Sequence, residues 1–114
     1  MAEPSADPQW YTVRCVFQSD SDDWFMYEER LTLSRAESFD QAILFAEAEA
    51  AQYAECIQVK YVGLAQAYLL VDPGPPTSGV EVFSLVRDSH LGPKEYLDRF
   101  FDTGRERQGD WHEP

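Results

Sequence analysis

WFMYEERLTLSRAES, residues 24–38, decides how this chain is read. β-rich residues run to Arg35, and Ser38 then opens a helical pattern, so a strand leads straight into a helix. In mid-strand stand Glu28 and Glu29, followed by Arg30. Side chains alternate between the faces of a strand, so the two glutamates point to opposite sides. Glu29 shares its face with Phe25, Tyr27, Leu31 and Leu33, the residues expected to face the core. A carboxylate there must protonate, pair with an arginine, or sit at the sheet margin. Arg14 and Arg87 are the candidate partners on neighbouring strands.

Upstream, WYTVRCVFQ (residues 10–18) alternates well and reads as a first strand. SDSDD (residues 19–23) is a polar hairpin turn; it lacks the glycine and distal glutamate of a calcium loop. Downstream, Ser38 and Gln41 have capping-box spacing, and the helix is expected to run to about Glu55. Its core stripe is Phe39, Ile43, Ala46, Ala50 and Tyr53. Leu44, Phe45, Ala48 and Ala51 lie well round from that stripe. Either the C-terminal helix or a second subunit covers them, or they are isolated exposed residues. The run at residues 57–71 is a long strand in which Gly63 and Ala65 break the alternation, the mark of a bulge or bend. DPGPPTSG (residues 72–79) is a loop, because its prolines cannot join a regular ladder. VEVFSLVR (residues 80–87) reads as a fourth strand, and a helix follows from Pro93 to a glycine cap at Gly104.

The expected architecture is therefore α+β: β-β-α-β-β-α, a mainly antiparallel four-stranded sheet with helices on one face. One domain over residues 10–104 is expected between a disordered arm (residues 1–9) and a mobile tail (residues 105–114) in which Trp111 could dock. Trp10, Trp24 and Met26 are placed on the sheet face away from the helices, as a dimer or binding surface.

The chain has 114 residues, of which 44% are hydrophobic, enough for a core without disulfides. Cys15 falls within the apolar alternation, Cys56 at a helix-to-strand junction, and neither demands a bridge. The formal net charge of −12 argues against duplex nucleic acid and anionic membranes, both of which recruit Lys and Arg. It favours a basic protein surface. The charge is uneven: residues 1–55 hold 12 acidic and 3 basic residues, and no Lys or Arg occurs between residues 36 and 59. The start MAEPSADPQ has no signal-peptide pattern and no stretch reaches membrane-span length, so a cytoplasmic location is expected.

No G-x-S-x-G and no glycine-rich phosphate loop occurs, and His90 and His112 stand alone, so no cofactor, metal or catalytic set is expected. The candidate binding residues are Tyr27, Glu28, Glu29 and Arg30, with Glu81 and Ser84 on the fourth strand. Leu44, Phe45 and Ala48 are the candidate interface, and a homodimer through them is an open alternative.

WYTVRCVF, YEERLTLSRAESFDQA, GLAQAYLL and GVEVFSLVRDSHLGPKEYLDRFF resemble a family of small bacterial and archaeal proteins, domain of unknown function 4288. The resemblance spans residues 10–101 and rests most on Trp10–Tyr11, Tyr27–Glu28–Glu29–Arg30, the helix entry at Ala36–Glu37–Ser38, and residues 81–84. It implies one compact domain and supplies no activity. The functional expectation is a small acidic interaction protein, immunity-, inhibitor- or adaptor-like, that meets a basic partner. The alternative is a small-ligand-binding domain or modest enzyme with a carboxylate-lined pocket on the sheet.

Overall fold

Tyr11, Val13, Cys15 and Phe17 alternate along β1 (Gln9–Asp20) and are all buried, and β1 is the central strand of its sheet. The computed structural model describes residues 7–20, 22–72, 74–102, 104–110 and 112. β1 pairs antiparallel with β2 (Phe25–Ala36) on one side and with β3 (Lys60–Leu69) on the other, giving the order β2-β1-β3. The β1–β3 register shifts between Cys15 and Phe17, opposite the stretch where Gly63 takes a φ of 101°. Glycine tolerates that region, so this is the expected bulge.

α1 (Phe39–Ile57) follows β2 at once. Ser38 Oγ accepts from the N–H of Gln41, and Gln41 Oε1 accepts from the N–H of Glu37. The box thus closes one residue before the cap. The helix ends two residues beyond the expected Glu55, where Gln58 turns left-handed and its N–H reaches Ala54 O. Its buried row is Ala42, Ala46, Ala50 and Ala54, packed on the β1 stripe. Of the expected stripe, Ala46 and Ala50 are buried and Ile43 and Tyr53 are half-buried. Phe39 is exposed, although its ring meets Tyr11 edge-on at 5.0 Å. The alanines win because a row at spacing four forms an inclined ridge that follows the sheet, and small side chains let the helix sit close.

Two expectations are corrected. Residues 80–87 form no strand, so the order is β-β-α-β-α with a three-stranded sheet. High β-propensity means that a run fits a half-buried pleated surface; it supplies no partner. Here the run divides between two compact units, the first ending at Ser84 and the second starting at Leu85. The second correction concerns faces. In the β1–β2 register, odd-numbered residues of β1 oppose even-numbered residues of β2. Met26, Glu28, Arg30, Thr32 and Ser34 therefore share the α1 side with Phe17 and Val13. Phe25, Tyr27, Glu29, Leu31 and Leu33 point the other way, beside Trp10, Thr12, Arg14 and Val16.

In the second unit, Pro93 occupies the first turn of α2 (Pro93–Phe100), and Lys94 pairs with Asp98 at 2.8 Å. α2 is capped at Phe101 rather than Gly104. Asp102, Thr103 and Gly104 are all poor helix formers. Arg87 stacks on Phe100 and donates to the Tyr96 hydroxyl. Residues 104–110 carry no helix or strand; residues 1–6 of the expected arm and Trp111 lie outside the described residues.

Candidate interaction surface at the hairpin end of the sheet

Glu28 and Glu29 do point to opposite faces, and each finds a partner. On the α1 side, the Tyr53 hydroxyl donates to both oxygens of Glu28, at 2.8 and 3.0 Å. Arg30 forms an ion pair with Glu49, and its guanidinium lies 3.8 Å from the Tyr53 ring centre. Four charged or polar groups thus lock β2 to α1 by hydrogen bonds and a cation–π contact. Tyr53 also serves the expected core stripe, its ring edge-on to Phe17 at 5.0 Å.

On the other face, Glu29 is held by Arg14, whose Nη1 lies 3.3 Å from Oε1. Arg14 is opposite Leu31 in the register, so Glu29 is its diagonal neighbour, within reach of a long side chain. Arg14 Nη2 also donates to Gln66 Oε1 at 2.7 Å and to the Tyr68 hydroxyl at 3.4 Å. Phe83 stacks against both Tyr68 and Arg14. The sequence did not single out Gln66 and Tyr68, yet their spacing of two on a strand beside Arg14 was the available signal. Next to this cluster, Thr12 is 1% exposed and its hydroxyl has no hydrogen-bond partner. Around the cluster, Leu31, Leu33, Val62 and Leu64 remain substantially exposed.

The hairpin joining β1 to β2 gathers a different set. Asp20, Asp22 and Asp23 line a cavity of about 590 Å³ together with Trp24 and Phe25. Trp24 is 70% exposed, and Phe25, Met26 and Tyr27 are nearly as open. Beside it, Met26, Tyr27, Glu28, Tyr53, Ile57 and Val59 contribute to a second cavity of about 310 Å³. Ile57 is the last residue of α1, so the negative end of that helix's dipole lies at this end of the sheet. The last turn of α1 holds no basic residue, and no described ion pair involves the three aspartates. Aromatic and apolar side chains are thereby concentrated at one end beside three aspartates that form no described ion pair.

The expected site residues are not one constellation. Tyr27 and Glu28 belong to the hairpin end, where Gln18 donates to the Tyr27 hydroxyl at 2.9 Å. Glu29 belongs to the Arg14 cluster and Arg30 to the α1 lock. Glu81 and Ser84 line a separate cavity of about 280 Å³ with Phe39, Tyr68 and Phe83. Leu44 is 68% exposed, and Phe45 and Ala48 are also open on α1. Among the described residues, no group of three His, Cys, Asp or Glu side chains could hold a metal ion, and no helix is long and apolar enough to cross a membrane.

Beneath α1, the Tyr61 hydroxyl donates to Glu47 Oε2 at 2.6 Å. Burial first, then this bond, raises the Tyr61 pKa. Burial likewise raises that of the Cys15 thiol, with the charges of Glu47 and Glu49 adding to it and the bond to Tyr61 opposing it. Both groups hold their protons to higher pH in the fold than in the unfolded chain, where they ionise at about pH 8.5 and 10. Their contribution to stability is complete below those values and is lost as pH rises through the raised folded ones. The urea midpoint should be steady up to about pH 8.5 and fall above it, and Tyr61→Phe should flatten the fall beyond about pH 10. A midpoint unchanged into that alkaline range would refute the assignment.

Comparisons with protein-family models, with curated proteins and with solved structures found no match to this chain.

Proposed function

We propose that the chain is a non-enzymatic binding protein whose hairpin end receives a basic segment of a partner protein, in the manner of a small immunity protein, inhibitor or adaptor. One observation carries the reading: exposed Trp24, Phe25, Met26 and Tyr27 stand beside Asp20, Asp22 and Asp23, three carboxylates without a cationic partner among the described residues. Tryptophan and tyrosine are the side chains that most often anchor interfaces. Lysine and arginine gain from aromatic faces, from carboxylates and from a helix C-terminus, and all three meet here. The net charge of −12 adds long-range attraction for such a partner. Charge attraction sets the encounter, and the aromatic anchor sets the lifetime of the complex.

The resemblance to domain of unknown function 4288 belongs to the same proposal and supplies no activity of its own.

The test is titration with lysine- and arginine-rich peptides, followed by tryptophan fluorescence. Trp24→Ala is expected to weaken binding by about tenfold or more, the usual consequence of losing an aromatic anchor. Asp22→Asn with Asp23→Asn should weaken it less and reduce its sensitivity to salt. Equal affinity for acidic and basic peptides, or a Trp24→Ala variant that binds like the parent, would sink the proposal.

A further inference from the structure

β2 is an edge strand of 12 residues, and no described backbone hydrogen bond reaches its outer side. It contains no proline, no lysine and no bulge, and of its charged residues Glu28, Glu29 and Arg30 are each already paired within the chain. The free edge of β3 differs: Gly63 interrupts it with the register shift described above. An unbroken edge is a template for another strand.

We propose that the occupant is a second copy of β2, paired antiparallel about a two-fold axis at Glu29 to form a six-stranded sheet. The register follows from two constraints. Backbone N–H and C=O groups point outward at every second residue, so residues of equal parity must face each other. That condition places both copies of α1 on the same side of the joined sheet. Their spacing is then three strand intervals, about 14 Å, which clears the helix diameter of about 10–12 Å.

Among equal-parity registers, the one centred on Glu29 matches chemistry to chemistry. Glu28 faces the other copy's Arg30 twice, on the α1 side. Phe25 faces Leu33 and Tyr27 faces Leu31, on the opposite side where these residues are exposed. Only the two Glu29 side chains meet like charge, and each already carries its own Arg14. Moving the centre to Arg30 would set Arg30 against Arg30 with no carboxylate opposite. The hairpin ends with Trp24 fall at the far ends of the shared ladder, so the pairing leaves both of them accessible. The pairing stands on edge geometry and does not depend on the reading of the hairpin end.

Sedimentation of the full chain should show a dimer, tightening as salt screens the repulsion between two chains of net charge −12. Binding of basic peptides has the opposite salt dependence. In a Cys56→Ser background, Glu29→Cys should form an intermolecular disulfide on oxidation, because residues facing each other across the axis lie about 4.5–5.5 Å apart at Cα. Leu31→Cys should not, because its mate lies four residues along, about 13 Å away. Glu29→Gln should tighten the dimer, and Leu44→Glu on α1 should leave it unchanged. A monomeric parent chain, equal cross-linking at Leu31→Cys, or dissociation by Leu44→Glu would each overturn the proposal. Circular dichroism checks the fold of every variant, and sedimentation of the parent decides the matter whether or not they fold.

Discussion

Phe17→Ala is expected to remove about 3–5 kcal/mol of stability, the range for deleting a buried aromatic side chain. Domains of this size are stable by about 5–15 kcal/mol, so the variant should sit near its unfolding limit. Phe17 is 1% exposed and the largest fully buried side chain. Its ring meets Tyr53 of α1 edge-on at 5.0 Å and Tyr61 of β3 at 5.5 Å, so one residue of the central strand joins helix and edge strand. Such ring pairs contribute about 0.5–1.5 kcal/mol beyond their buried area. Tyr53 also holds Glu28 and lies under Arg30, so loss of Phe17 loosens the β2–α1 lock as well. Urea unfolding followed by circular dichroism measures the effect. A loss below about 1 kcal/mol, comparable to an average substitution, would show that the core does not depend on this ring. Phe17→Leu should recover much of the stability, because it restores most of the volume.

The central strand was legible because its signal is unmixed. Tyr11, Val13, Cys15 and Phe17 form an apolar alternation of period two, and all four are buried. β2 misled for a definite reason. Its more apolar face, with Phe25, Tyr27, Leu31 and Leu33, is turned away from α1, and its polar face is turned toward it. A one-residue change of register exchanges the faces of a strand, and the hairpin connection rather than the apolar count sets that register. Ala36 confirms the phase at the other end of β2: it is 2% exposed and belongs to the α1 core. The polar lock of Glu28, Arg30, Glu49 and Tyr53 then occupies the place that an apolar contact would have filled. Partners separated by 19 to 25 residues leave no local pattern, so those pairs could not be read ahead of the fold. Of the two arginines that sequence offers Glu29, the register selects Arg14. At the hairpin end, the acidic turn was visible in sequence, whereas its proximity to the C-terminus of α1 was not.

Ala50→Leu is expected to destabilise the protein by about 1–3 kcal/mol, although leucine is as good a helix former as most residues and more hydrophobic. Ala50 is fully buried in the row that faces β1, with Ala46 one turn before it and Ala54 one turn after. Close helix-to-sheet approach is what these alanines provide. A leucine must displace the helix or take a strained rotamer, since protein interiors have few voids to receive it. Displacing α1 would also pull Glu49 and Tyr53 away from Arg30 and Glu28, so part of the loss should register in β2. The double variant Ala46→Leu with Ala50→Leu should depart from additivity, because once the helix has moved for one leucine the second meets less resistance. Ala51→Leu, one residue further along but exposed, is the control and should stay within about 0.5 kcal/mol of the parent. Denaturant midpoints for these chains and for the single variant Ala46→Leu separate packing from propensity: a neutral Ala50→Leu would mean that α1 does not sit tightly on the sheet, and that its alanine row reflects helix propensity alone.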